Sequence, residues 1–176
     1  ATTGKMIPPS PLPKPTVPLP AETFHSIVLT DTQATFWTVG DIRHLWKIYK
    51  HMPNLYVQTA DGEARVQAIG SALVHLLVGE CWECYDIPNV LVLPNCKDVL
   101  YSTRVMRDCF NFSHDLDTGH IQVPGATGIK VFDDGSKFFT HAAFSLQGSR
   151  APADIRRPKR CASSIAYSSS WVAASE

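Results

Sequence analysis

The sequence predicts a small, mostly β domain with one short helix, flanked by an extended arm at either end. Three observations predict it. Short apolar runs stop at turn residues, as Ile27-Val28-Leu29 does before Asp31 and Val90-Leu91-Val92-Leu93 before Pro94. Asp-Gly pairs at Asp61-Gly62 and Asp134-Gly135 stand between strand-forming stretches, a strong local signal for a hairpin. Seven of the thirteen prolines fall within residues 1–22, a density that neither a helix nor a central strand tolerates.

In chain order, residues 1–22, "ATTGKMIPPSPLPKPTVPLPAE", form a polyproline-like arm with no core of its own. Leu12, Val17 and Leu19 are its contact side chains, and the arm is expected to become ordered only against another chain. Residues 23–145 carry nearly all the patterned apolar residues and form the domain. "FHSIVLTD" is a strand ending at Asp31. "ATFWTVGDIRHLWKIYKHM" places Val39, Ile42, Leu45, Trp46 and Tyr49 near helical spacing, so an irregular loop with one or two helical turns is expected there. "LYVQTADGEARVQAIGSALVHLLVGECWECYDI" reads as consecutive hairpins. "NVLVLP" is a short strand, "VLYSTRVMRDC" starts as a strand and becomes a helix near 102–109, and "GIKVFDDGSKFFTHAAFSL" is a last hairpin turning at Asp133-Asp134-Gly135. Residues 146–176, with "IRRPKR" and a serine-rich stretch, form a second arm in which Tyr167 and Trp171 could anchor a partner.

Composition narrows the function. An apolar fraction of 44% supports a real core. A net charge of zero argues against nucleic acid as the main partner. No apolar run reaches the roughly 18 residues that cross a bilayer, and the N-terminus lacks a charged-then-apolar leader pattern. Five cysteines, mostly inside apolar segments, read as thiols of a reducing, intracellular compartment and not as a disulfide framework.

Several motifs then occur in a telling order: Asp31-Thr32-Gln33-Ala34-Thr35 after an apolar strand, "ADGEARVQAIG", "NVLVLPNCKDVLYS" opening a helix, and "GIKVFDDG". Over about residues 24–138 this resembles the retropepsin-like aspartic proteases, most closely the copia-type retrotransposon branch. The resemblance implies a small closed β-barrel with Asp31 at the end of an interior strand, beside the "DVLYS" strand. It implies Asp31 as the catalytic carboxylate, Thr32 as the brace across a dimer axis, and Ala60, Asp61 and Gly62 as the flap over an extended peptide. In this family two aspartates share one proton, because like charges in contact cannot both ionise. The ionised one takes a proton from water and the protonated one polarises the peptide carbonyl. One chain supplies one aspartate, so an active form is a twofold homodimer. No cofactor is implied.

Gln33 departs from the family's glycine. Glycine accepts backbone angles that other residues resist, and a glutamine amide could bond Asp31 and hold it ionised. The expectation is therefore a catalytically impaired domain that serves as a structural or interaction subunit, its arms binding other protein chains. The alternative is an active homodimeric aspartic endopeptidase.

Other readings are weaker. Asp117-Thr118-Gly119 repeats the motif but follows polar residues, and reads as a loop turning at Gly119. Cys81 and Cys84 are half a zinc site by spacing, with Cys96, Cys109, His75 and His114 as candidate partners. No second pair of ligands follows, so two thiols near a turn are the preferred reading. His114, Asp115, Asp117 and His120 read as a solvated polar loop. No phosphate-binding loop, nucleophile elbow or dinucleotide fingerprint is present.

Overall fold

The structure is a computed structural model; it describes residues 14–59, 62–115 and 117–159. The described residues are mostly strand, with one α-helix among them. In order, the elements are β1 (Thr23–Asp31), β2 (Thr38–Val39), a 3-10 turn (Ile42–His44), β3 (Lys47–Thr59), β4 (Gly62–Val78), β5 (Cys81–Val92) and β6 (Val99–Ser102). The helix α1 (Thr103–Phe110) follows, then β7 (Ser113–His114), β8 (Ile121–Gln122), β9 (Phe132–Asp133), β10 (Phe138–Ser145) and β11 (Ile155–Arg156).

The pairing runs β5-β2-β6-β1-β10-β4, and the β4–β5 hairpin returns it to its start. Six strands thus form a closed ring. β3 extends it from β4, and β11 adds to β5. β1 lies antiparallel to β10 and parallel to β6, with Asp31 in register with Ser102. The expected neighbour of the Asp31 strand is therefore present.

Alternation explains the ring's two faces. Val28, Val74, Leu76, Ala142 and Phe144 point inward and pack with Trp37, Tyr85, Tyr101 and Met106 in one apolar cluster. A second, smaller cluster of Leu55, Val66, Ile69, Leu91 and Leu93 lies at the base of the β3–β4 hairpin. Close approach fixes Gly70: a Cβ there would overlap the Lys47 carbonyl oxygen. Pro88 is tolerated in β5 because the register slips beside it, and Asn89 takes a positive φ of 54°.

Two expectations need correction. The helical spacing of Ile42, Leu45, Trp46 and Tyr49 yields only a three-residue 3-10 turn, capped by the Asp41 side chain, before a thirteen-residue strand. Pairing with β4 decides this: the strand absorbs the irregular pattern in two register shifts and leaves Tyr49 half exposed. Nor are the described parts of the arms detached. Pro18 and Glu22 bond to the chain's own domain. Ile155 and Arg156 extend β5, and Arg156 and Arg157 meet Glu83 and Asp86 at 3.0 Å each. The basic run that reads as a free arm instead neutralises acidic side chains on β5. Leu12, Tyr167 and Trp171 lie outside the described residues.

Candidate active site

Asp31 ends β1 because the chain turns there onto its own carboxylate. Its Oδ1 accepts the backbone N–H of Gln33 at 2.8 Å and of Ala34 at 3.2 Å. A carboxylate that receives two main-chain donors is held in one orientation. The loop is braced from below. Ser102 Oγ donates to the Ala34 carbonyl at 2.7 Å and accepts the Val105 N–H at 3.2 Å, as the N-cap of α1. A buried hydroxyl therefore joins the Asp31 loop to the helix start. Sequence reasoning missed this residue, although a serine at a strand-to-helix junction is a capping signal.

Gln33 behaves differently from the expectation. Its backbone N–H, not its side-chain amide, reaches Asp31. Among the described non-glycine residues only Glu22, Asn89 and Asn111 have positive φ, so position 33 does not demand glycine. The side chains of Thr32 and Gln33 are exposed.

A cleft of about 430 Å³ opens beside the carboxylate. Leu29, Thr30, Asp31 and Thr32 form one side, Thr103 the helix end, and Lys137 and Phe138 the other side. Thr30 Oγ1 donates to the Phe138 carbonyl at 3.1 Å and ties the two sides together. His114, Asp115 and Gly119 also reach the cleft. Burial lowers the His114 pKa to about 4, with a smaller contribution from the Arg107 charge, and its Nε2 bonds Tyr101 Oη at 2.8 Å. A neutral imidazole is thereby fixed at the cleft wall.

The remaining candidates separate. Gly62, at φ 113°, ends the β3–β4 hairpin, where Thr59 Oγ1 donates to its carbonyl at 2.7 Å. It does not line the Asp31 cleft; Ala60 and Asp61 lie outside the described residues. Asp115 accepts the N–H groups of Asp117 and Thr118. The Thr118 and then the Asp117 bond lower its pKa, and Gly119 turns at φ 74°. Asp117-Thr118-Gly119 is thus a loop turn and follows no interior strand. The His120 ring meets the Gln122 side chain at 3.3 Å, and its backbone carbonyl accepts the Asp115 N–H at 2.9 Å. Cys81 and Cys84 are three apart on a strand and point to opposite faces, one exposed and one buried. Burial pushes the Cys84 thiol up to about 12. Among the described residues no three His, Cys, Asp or Glu side chains could hold a metal ion together. Nor is any described helix long and apolar enough to cross a membrane.

Comparison with known proteins identifies no relative: no family model, curated protein or solved structure matches the chain.

Proposed function

We propose that this chain is a retropepsin-like aspartic endopeptidase subunit, one half of a twofold site, its six-stranded ring serving as the family's closed barrel. The observation that carries the reading is Asp31: a strand-end carboxylate oriented by two backbone N–H groups, in a loop braced on a helix, beside an open cleft. Thr32 and Gln33 are exposed beside the carboxylate and give a second copy a surface to meet. Apposed aspartates from two copies would share one proton, with one activating water and the other polarising the scissile carbonyl. A peptide would lie extended across the pair, held by main-chain hydrogen bonds.

One observation favours a second reading, the catalytically impaired interaction subunit. The Gln33 side chain is exposed two residues from Asp31, and two such side chains at a twofold axis would hold the aspartates apart. Acid-range cleavage of a peptide library by the unmodified chain, Asp31→Asn and Gln33→Gly separates the readings. Cleavage by the unmodified chain, lost in Asp31→Asn, supports the endopeptidase. Cleavage only after Gln33→Gly supports the impaired subunit. No cleavage by any of the three overturns the aspartic-protease reading.

A further inference from the structure

Trp82 in β5 belongs to neither apolar cluster. It is half-buried, and its indole Nε1–H donates to the Pro18 carbonyl at 2.9 Å. The segment that supplies this carbonyl is proline-rich and clamped at its root. Thr23 Oγ1 donates to the Pro20 carbonyl at 2.7 Å. Glu22 turns the chain at φ 56°, accepts the Leu146 N–H on its carbonyl and the Arg150 N–H on its carboxylate. Pro15 and Val17 are half-buried.

The chemistry of this contact is general. A polyproline II segment makes no internal hydrogen bonds, so its carbonyls are open to outside donors. A flat aromatic ring with an N–H at its edge supplies a donor and an apolar platform together. Trp82 stands in register with Leu77 of β4, so both side chains project on the face opposite the inward-pointing Leu76. A tryptophan beside a leucine is a suitable floor for proline rings. The occupying tripeptide, Pro18-Leu19-Pro20, also occurs seven residues earlier as Pro11-Leu12-Pro13.

We propose that Trp82 and Leu77 form a polyproline-reading strip on the outer face of the β4–β5 pair. In the isolated chain its own Pro18-Leu19-Pro20 segment engages it through the Pro18 carbonyl. The partner it fits is an extended proline-rich segment of another protein carrying Pro-Leu-Pro, which gains access when the internal segment lets go. The strip needs no catalysis at Asp31.

The test uses the full chain with its tryptophan indoles labelled for NMR, the Trp82 resonance being assigned with Trp82→Phe. The ligand is a synthetic peptide with the sequence of residues 8–20. In the unmodified chain the tethered segment competes at an effective concentration on the order of millimolar. The peptide should therefore move the Trp82 resonance little. In the full chain carrying Pro18→Gly and Pro20→Gly the internal segment is loosened, and the peptide should bind at least about tenfold more tightly. The Trp37 indole, buried in the core, reports that the variant is folded. Should glycine at 18 and 20 unsettle the fold, Val17→Gly with Leu19→Gly serves the same purpose. An otherwise identical peptide with alanine at every proline should leave the resonance unmoved. No movement with the proline peptide in the loosened chain, or equal movement with the alanine peptide, overturns the proposal.

Discussion

At the residue scale, the chemistry of Asp31 rests on main-chain geometry, which a substitution at position 33 need not disturb. Gln33 has negative φ, so Gln33→Gly relieves no strain and adds freedom to the unfolded chain. Its expected cost is about 0.5–1 kcal/mol, read as a lower denaturation midpoint. Asp31→Asn keeps an acceptor for the two N–H groups and should leave the midpoint within about 1 kcal/mol of the unmodified chain's while removing the ionisable group. His114 gives a pH prediction. Its folded pKa of about 4 lies below its unfolded value near 6.5. The folded state therefore binds fewer protons, and stability is lost as pH falls from about 6.5 towards 4. His25, His44 and His75, all lowered chiefly by burial, act in the same direction. Urea midpoints at pH 7.5 and 5 should differ less in His114→Gln, which keeps a hydrogen-bonding group opposite Tyr101, than in the unmodified chain. An equal difference would show that His114 does not contribute to the acid sensitivity. Asp31 was legible in the sequence because its signal is local: an apolar strand, a carboxylate, then a turn. The His114–Tyr101 bond was not, because polar neighbours made His114 read as a solvated loop residue.

At the element scale, the junction of β6 and α1 is the joint on which the site depends. Ser102 is fully buried and makes two hydrogen bonds, one across 68 residues to Ala34. Ser102→Ala removes a cap and leaves the Ala34 carbonyl without that donor. The expected destabilisation is about 1–3 kcal/mol by denaturant titration, with faster amide exchange at Gln33 and Ala34. Unchanged exchange in that loop would show that Ser102 braces the helix alone. The helix itself was legible because Val105, Met106 and Cys109 keep helical spacing and are all buried. The start of β3 and the whole of β11 were not. Whether Lys47–Tyr49 coils or extends is decided by β4, which supplies the pairing partners. Whether "IRRP" floats or docks is decided by Glu83 and Asp86, about seventy residues earlier in the chain. These exposed ion pairs contribute little singly. Arg156→Ala with Arg157→Ala should cost no more than about 2 kcal/mol, and less at high salt.

At the scale of the whole molecule, a six-stranded ring closed through the β4–β5 hairpin carries Asp31 at the end of β1. The family resemblance anticipates a mostly β architecture with this strand beside "DVLYS". Individual motifs could not show that the segments on both flanks pack back on the domain, since the bonds from Trp82 to Pro18, Arg150 to Glu22 and Arg156 to Glu83 join residues far apart in sequence. Function at this scale turns on number: the proposed site takes one aspartate, Asp31, from each chain, so the proposed catalysis needs two chains. The buried neutral histidines oppose acid, whereas a shared-proton pair favours it, so activity should be confined to a window set by both. The most direct measurement is the rate of acid-range peptide cleavage as a function of chain concentration, with Asp31→Asn mixed in at increasing ratio. The proposed twofold site predicts a rate that rises with the square of concentration when dimers are scarce, and suppression by the variant as it captures partners. A rate strictly proportional to concentration while the chain sediments as a monomer, or cleavage that Asp31→Asn retains, would contradict it.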